Sequence, residues 1–288
     1  MNHIDTIDTA VVLGAGTMGA GIAQVLAMSG VEARLVDVNQ DALDRASARI
    51  RAALDKGVDK GKVEASVRDA ALERLHTRTD LAEACHGANG LVEAVPEKLE
   101  LKTDLLGLAA EHLPATALIA SNTSSLSLTA IADAVPHPER VTGMHFFNPV
   151  HIMKLVEVVR ADQSSDAAVE ATVGLAVRMG KDPIVVKDRP GFASSRLGIA
   201  IGLEAIRMVE EQVASAEDID KAMTLGYGFP MGPLRLTDLV GLDVRLSIAE
   251  YLTEKLGPRF EPPQLLRNKV AAGELGKKSG AGFYRYDD

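Results

Sequence analysis

Short runs rich in Val, Leu and Ile alternate with amphipathic stretches through the first 187 residues of this chain, and that order constrains the fold more than any other feature. Residues 9–13, 33–37, 90–95, 117–121, 141–146, 155–160 and 183–187 read as strands. Between them, residues 18–29, 40–56, 98–112 and 166–179 carry apolar side chains at helical spacing. Strands that alternate with helices of this length imply a mostly parallel, doubly wound α/β sheet, because parallel neighbours need a crossover and the crossover helices cover the two faces. After Asp188-Arg189-Pro190-Gly191 the strand signals stop. From Phe192 to Ala272 the pattern is helical, with breaks at 226–233 and 257–263.

A chain of 288 residues, 47% apolar, has enough material for two cores. Its single cysteine, Cys85, excludes an internal disulfide framework and a thiolate metal cluster, and points to the cytoplasm. With Asp5 and Asp8 ahead of the first apolar run, the N-terminus is not expected to act as a secretory signal. No run approaches the roughly 18 apolar residues of a membrane span; the longest, 197–203, is stopped by Glu204. A net charge of −9 disfavours nucleic acid and anionic membrane as partners. Arg49, Arg51, Lys56, Lys60 and Lys62 nevertheless form a local basic cluster. It reads either as a seat for a polyanionic ligand or as a solvated helix face balanced by Asp55, Asp59 and Glu64.

Gly14-Ala15-Gly16-Thr17-Met18-Gly19 follows the first strand directly and opens a helix, and Asp37 ends the next strand eighteen residues beyond Gly19. The G-x-G-x-x-G pattern alone is weak, but this context is that of a dinucleotide-binding loop. Gly14 makes the tight turn, Gly16 admits a pyrophosphate to the backbone, and Gly19 lets the helix pack on the strand; Thr17 and Met18 complete the loop at the helix N-terminus. The expected fold is therefore an N-terminal Rossmann-type doubly wound sheet, residues 1–187, followed by an all-α C-terminal domain, residues 188–288. Asp37 is placed to accept from ribose hydroxyls. A 2′-phosphate there would meet like-charge repulsion of about 1–4 kcal/mol at about 4 Å, so NAD rather than NADP is the expected cofactor. Arg34 and Arg45, close in sequence, act against that preference. Glu97 and Lys102, beyond the strand that holds Glu93, are candidates for contact with the cofactor ribose or substrate. An ordinary acidic helix start explains their spacing better than a ligand does.

Asn122-Thr123-Ser124-Ser125 closes an apolar strand, so its hydroxyls should emerge at the same rim as the glycine loop. His145 lies near the end of another strand, and Pro149 forces a loop after it. A lone histidine on an apolar strand reads as a hydrogen-bonded core residue. Glu157, on the following strand, alters that reading: a carboxylate that accepts from one ring nitrogen fixes the tautomer and leaves the other to take a proton. Ser124, His145 and Glu157 also spell a Ser-His-Glu hydrolase triad. Against it, Ser124 stands between Thr123 and Ser125 rather than in a G-x-S-x-G elbow, and a hydrolase has no use for a dinucleotide loop. Proton and hydride transfer on an alcohol or ketone accounts for both halves, with no metal.

The glycine loop with Gln24, Asp37, Glu93-Ala94-Val95-Pro96-Glu97, Asn122–Leu126, His145-Phe146-Phe147-Asn148-Pro149, Lys154-Leu155-Val156-Glu157, Pro190-Gly191-Phe192, the stretch from Gly232-Pro233 to Gly241-Leu242-Asp243, and the closing 276–284 stand in a specific order. Together they resemble the 3-hydroxyacyl-CoA dehydrogenase family over essentially the whole chain, and its bacterial 3-hydroxybutyryl-CoA dehydrogenase members most of all. The resemblance implies NAD-dependent interconversion of a short-chain (S)-3-hydroxyacyl-CoA and its 3-oxoacyl-CoA, a reaction of the fatty-acid β-oxidation type, in a homodimer formed through the helical domain. It assigns His145 as general acid/base, Glu157 as its partner, Ser124 to the substrate oxygen and Asn148 to the cofactor. Glu97, Lys102 and Lys278 match positions near NAD, and Lys56 and Lys60 fall where the CoA phosphates are met. One position departs from the pattern: where many members carry asparagine before the arginine that follows Pro-Gly-Phe, this chain has Ser195 before Arg196, a shorter side chain with one donor. Three alternatives share most of these residues: a dicarboxylic or aryl 3-hydroxyacyl-CoA as substrate, a free 3-hydroxy acid or sugar acid, and a non-catalytic NAD-binding protein. Finally, Ile199, Ile201, Leu203, Ile206 and Val209, with Leu236, Leu239, Leu242, Leu246 and Ile248, offer either a tight helical core or a subunit interface.

Overall fold

The computed structural model describes residues 6–286, so Asp5 lies outside it. The chain divides into two compact units, Met1–Arg189 and Pro190–Asp288. The first holds β1 (Thr9–Leu13), β2 (Glu32–Val36), β3 (Leu75–Arg78), β4 (Gly90–Glu93), β5 (Leu118–Ser121), β6 (Val141–Phe146), β7 (Leu155–Arg160) and β8 (Asp182–Lys187). They form one eight-stranded sheet in the order β3-β2-β1-β4-β5-β6-β7-β8. From β3 to β6 every pairing is parallel; β7 then runs back antiparallel to β6, and β8 lies parallel to β7. Strands β4 and β5 are buried at every position, which is why they read as continuous apolar runs rather than as alternation. The strand order reverses between β1 and β4, and a crevice opens at the carboxyl ends of strands at such a point.

Among the described residues seven α-helices connect the strands of this unit: α1 (Thr17–Met28), α2 (Gln40–Asp59), α3 (Ala65–Glu73), α4 (Leu81–Cys85), α5 (Leu99–His112), α6 (Leu128–Asp133) and α7 (Asp166–Arg178). Asn39, Asp80, Ser127 and Ser165 cap α2, α4, α6 and α7 by accepting from the backbone N–H of Ala42, Glu83, Ala130 and Ala168. Helix α1 begins on Gly16, which has no side chain to do the same. Its first N–H groups therefore depend on another acceptor.

Strand β3 was not expected from the sequence. Its residues, Leu75-His76-Thr77-Arg78, hold one aliphatic side chain and are only half-buried. As an edge strand paired with β2 alone it needs no continuous apolar run.

The second unit comprises α8 (Ser194–Glu210), α9 (Ala216–Lys221), α10 (Pro233–Val240), α11 (Leu242–Leu256) and α12 (Gln264–Ala271). Ile199, Leu203, Ile206, Leu234, Leu252 and Leu266 form its core. Buried Asp220 caps α10 through the N–H groups of Leu234 and Arg235, and Asp238 holds the closing segment through those of Phe283 and Tyr284. The apolar residues singled out above thus split: Ile199, Leu203, Ile206 and Leu242 are core, whereas Ile201, Leu236 and Leu239 are exposed, as is Leu197. Among the described residues no helix is long and apolar enough to cross a membrane.

Candidate active site

A groove of about 510 Å³ opens at the switch point, lined by Gly14 to Met18, Asp37, Arg45, Arg49 and Ala94 to Pro96. Gly14 has φ +96°, and a Cβ there would lie 2.8 Å from the carbonyl oxygen of Ala94. At Gly19 a Cβ would fall 1.8 Å from Gly14 O. Only glycine fits either position. Nothing lies within 4 Å of the place a Gly16 Cβ would take, so that backbone is open to the groove. Asp37 fixes the loop from the side: its Oδ2 accepts from Ala15 N at 2.9 Å and its Oδ1 from Asn39 N at 3.0 Å. Each oxygen keeps a second lone pair. Uncapped α1, the bare Gly16 backbone and a carboxylate at the end of β2 together suit the pyrophosphate and ribose of a dinucleotide. Of the two arginines weighed against NAD, Arg45 lines the groove. Arg34 is committed to Glu32 and to the carbonyls of Ala84 and His86.

Behind the rim, Glu93 and Lys102 form a buried pair, 0% and 1% exposed. Lys102 Nζ has three donors and three acceptors: Glu93 Oε1 at 2.7 Å, Val95 O at 3.2 Å and Glu97 Oε2 at 3.1 Å. The ammonium expected at a ligand is thus saturated inside the protein. Its work is to hold Glu97. The other oxygen of Glu97 gathers the Asn122–Ser125 turn, accepting from Thr123 Oγ1 at 2.7 Å, Ser124 N at 2.8 Å and Ser125 N at 3.0 Å, and from Ser124 Oγ at 3.3 Å. Burial raises the Glu97 carboxyl pKa, but the Lys102 charge and these donors outweigh it, and the net shift is downward from the ordinary 4.5.

The carboxylate therefore stabilises the fold fully above the unfolded carboxyl's pKa, and the contribution is lost as pH falls through the lower folded value. We expect the stability gap between wild type and Glu97→Gln to be widest near neutrality and to narrow in acid. Thermal melts across that range check it; a gap independent of pH would show that Glu97 acts without its charge.

His145 and Glu157 face each other across the antiparallel β6–β7 pair, with His145 Nδ1 2.8 Å from Glu157 Oε2. Directly opposed residues project on the same face of a sheet, so strand register alone brings ring and carboxylate together. Both are buried, and the Phe147 ring packs on the imidazole with centroids 4.7 Å apart. Asn122, unnoticed as a tether in the sequence, accepts from Phe146 N at 2.9 Å and so ties the Ser124 turn to the end of β6. Asn148 lines a second cavity of about 120 Å³ that shares Thr17 and Arg49 with the groove. Arg49, taken above as one of a basic cluster, donates to Ala15 O and Gly16 O. Helical periodicity puts Arg45, Arg49, Lys56 and Lys60 on one face of α2 and turns Arg51 away. Lys56 and Lys60 are exposed.

The first unit thus brings together the glycine loop, Asp37, Glu97, Lys102, Ser124, His145, Asn148 and Glu157. Ser195 and Lys278 belong to the helical unit. Ser195 is half-buried in the first turn of α8, and Lys278 pairs with Asp243 at 2.7 Å.

Residues 9–189 match the family described as 3-hydroxyacyl-CoA dehydrogenase, NAD binding domain, and residues 191–286 match its C-terminal domain. A probable 3-hydroxybutyryl-CoA dehydrogenase of Bacillus subtilis is 44% identical over 96% of this chain and 96% of its own. The 3-hydroxybutyryl-CoA dehydrogenase of Mycobacterium tuberculosis is 42% identical, covering 98% and 99%. A solved structure, (S)-3-hydroxybutyryl-CoA dehydrogenase from Ralstonia eutropha, superposes with a TM-score of 0.94 at 38% identity over 98% of this chain and 100% of that one. With both of its units matched, the chain belongs to the NAD-dependent 3-hydroxyacyl-CoA dehydrogenase family of oxidoreductases.

Proposed function

We propose that this protein interconverts an (S)-3-hydroxyacyl-CoA and the corresponding 3-oxoacyl-CoA in the cytoplasm, with the 3-hydroxybutyryl thioester as a minimal substrate and His145 with Glu157 as the acid/base pair. The observation that carries the reading is the 2.8 Å contact between His145 Nδ1 and Glu157 Oε2, in the same unit as the dinucleotide groove. NAD, when bound, supplies the hydride acceptor for C3 of the substrate. The carboxylate of Glu157 accepts a hydrogen bond from Nδ1–H, so the proton exchanged with substrate is the one at Nε2. As His145 takes up the hydroxyl proton, Glu157 stabilises the imidazolium; in the reducing direction that imidazolium donates to the carbonyl oxygen. Ser124 Oγ keeps the same oxygen in line. Its bond to Glu97 is 3.3 Å, longer than those from Thr123 Oγ1 and Ser124 N to that oxygen, and is the one exchanged for substrate.

Gly14, Gly16, Thr17, Met18, Gly19, Asp37, Asn148 and Glu97 hold NAD, and Lys102 sets Glu97 from behind. Ser195 and Lys278 are the helical unit's candidates for the substrate carbonyl and for the cofactor. Lys56 and Lys60, on the α2 face that begins at the groove, are those for the CoA phosphates. The exposed Leu197, Ile201, Leu236 and Leu239 support a homodimer through the helical unit. Asp37→Ala is expected to narrow the preference for NAD over NADP by at least about fivefold, the lower end of the like-charge repulsion. Steady-state kinetics with both cofactors measures the ratio; an unchanged one would remove Asp37 as the ribose reader.

The reaction is tested by NADH consumption with acetoacetyl-CoA, beside free acetoacetate and beside NADPH. Rapid turnover confined to the thioester with NADH is expected. Turnover of free acetoacetate at the same rate would overturn the acyl-CoA reading, and a folded protein that binds NADH and reduces neither would overturn the reaction.

A further inference from the structure

Arg49, in the third turn of α2, lines both the groove at the switch point and the adjoining cavity of about 120 Å³. Its Nη2 donates to the glycine loop, to Ala15 O at 3.0 Å and to Gly16 O at 3.3 Å. Gly16 O also accepts from Ala20 N at 3.0 Å as the first bond of α1. On the same stretch, Asp37 Oδ2 accepts from Ala15 N at 2.9 Å. Ala15 is thus gripped at both ends, its N–H by an acid and its C=O by a cation, and the two grips come from different segments of the chain.

The grip on the carbonyl has a directional effect. The peptide bond between Ala15 and Gly16 is trans, and in a trans peptide the C=O and the following N–H point in opposite directions. Fixing Ala15 O toward Arg49 therefore fixes the Gly16 N–H away from it. That N–H lies at the start of α1, where Gly16 provides no capping side chain, and a phosphate is the acceptor suited to it. A glycine backbone has the most freedom to lose, so a loop built on Gly14 and Gly16 gains most from being held before its ligand arrives. Charge acts in the same sense. Arg45, one turn earlier on the same face of α2, also lines the groove; like charges at that spacing repel each other, and a polyanion relieves the repulsion.

We propose that Arg49 is a positioning residue for the cofactor pyrophosphate, which presets the Gly16 N–H and adds a positive charge to the groove wall. The inference rests on the groove being the seat of NAD. It gives one exposed arginine of α2 a task separate from that of Lys56 and Lys60.

The test uses ADP and adenosine as competitors of NADH, followed by the fluorescence of bound NADH. The two share adenine and ribose and differ by the diphosphate. Wild type is expected to prefer ADP, and in Arg49→Met that preference falls about tenfold, the value of one hydrogen bond to a charged group, with adenosine affinity kept. Arg49→Lys keeps the charge without the fork and restores part of the preference. Arg51→Met removes the same charge from a side of α2 turned away from the groove and leaves the preference as in wild type. Added salt weakens the ADP preference of wild type more steeply than that of Arg49→Met. An Arg49→Met variant that loses ADP and adenosine alike would make Arg49 a support of the fold alone and overturn the proposal. So would an unchanged ADP preference with a raised KM for acetoacetyl-CoA, which would assign Arg49 to the thioester. Should Arg49→Met not fold, an Arg49→Lys variant with the full wild-type preference and salt dependence overturns it as well. If wild type binds NADH yet takes ADP no better than adenosine, the groove itself is not the pyrophosphate seat, and that reading falls before Arg49 is reached.

Discussion

His145→Gln lowers turnover by about 10²–10⁴-fold and leaves NADH binding intact. Glutamine is chosen because its amide can still donate to Glu157 Oε2, the atom 2.8 Å from Nδ1 in wild type. The buried carboxylate then keeps a partner and β6–β7 keeps its pairing. What disappears is a ring nitrogen that can take up a proton and return it. The cofactor groove is built by other segments, the glycine loop, Asp37 and Ala94 to Pro96, so NADH titration should return a wild-type affinity. Weakened NADH binding with turnover per bound cofactor unaltered would place His145 in the cofactor site and refute its role as acid/base.

Lys102→Met destabilises the fold by about 3–5 kcal/mol, the range for removing one partner of a buried ion pair. Methionine nearly matches lysine in length, so the loss of packing is small. The loss of charge is not, because Glu93 is 0% exposed and keeps only Val95 N and Ser121 Oγ as donors. Urea unfolding should show a lower midpoint with an unaltered slope. Turnover falls too, since Glu97 loses the ammonium that fixes it and with it the firm seat of the Ser124 turn. Adding Glu93→Gln to Lys102→Met should recover most of the stability, because a neutral amide needs no counter-charge. A Lys102→Met variant within about 0.5 kcal/mol of wild type, the range of an inconsequential surface change, would mean that the pair is hydrated or neutral.

Periodicity and punctuation made most of the sheet legible. Buried parallel strands are nearly all apolar, and those in the centre of the sheet were visible as such; β3, at an edge with one leucine, was not. The glycine loop could be read because each glycine answers a separate steric demand, as the 2.8 Å and 1.8 Å approaches at Gly14 and Gly19 make explicit. The pairing of His145 with Glu157 was legible because they sit on successive strands. Lys102 and Asn122 were harder. A lysine four residues into a helix reads as solvated, and only the fold shows it turned inward to a glutamate that ends an apolar strand.

The direct opposition of His145 and Glu157 on β6 and β7 separates two kinds of change in this protein. Residues 147–154, which join the strands, can vary in length without moving His145 against Glu157, because the ladder on either side holds the alignment. One residue inserted within either strand would send histidine and glutamate to opposite faces. Variation in the connecting loop therefore leaves that alignment in place, while the strands beneath it are locked to a single phase.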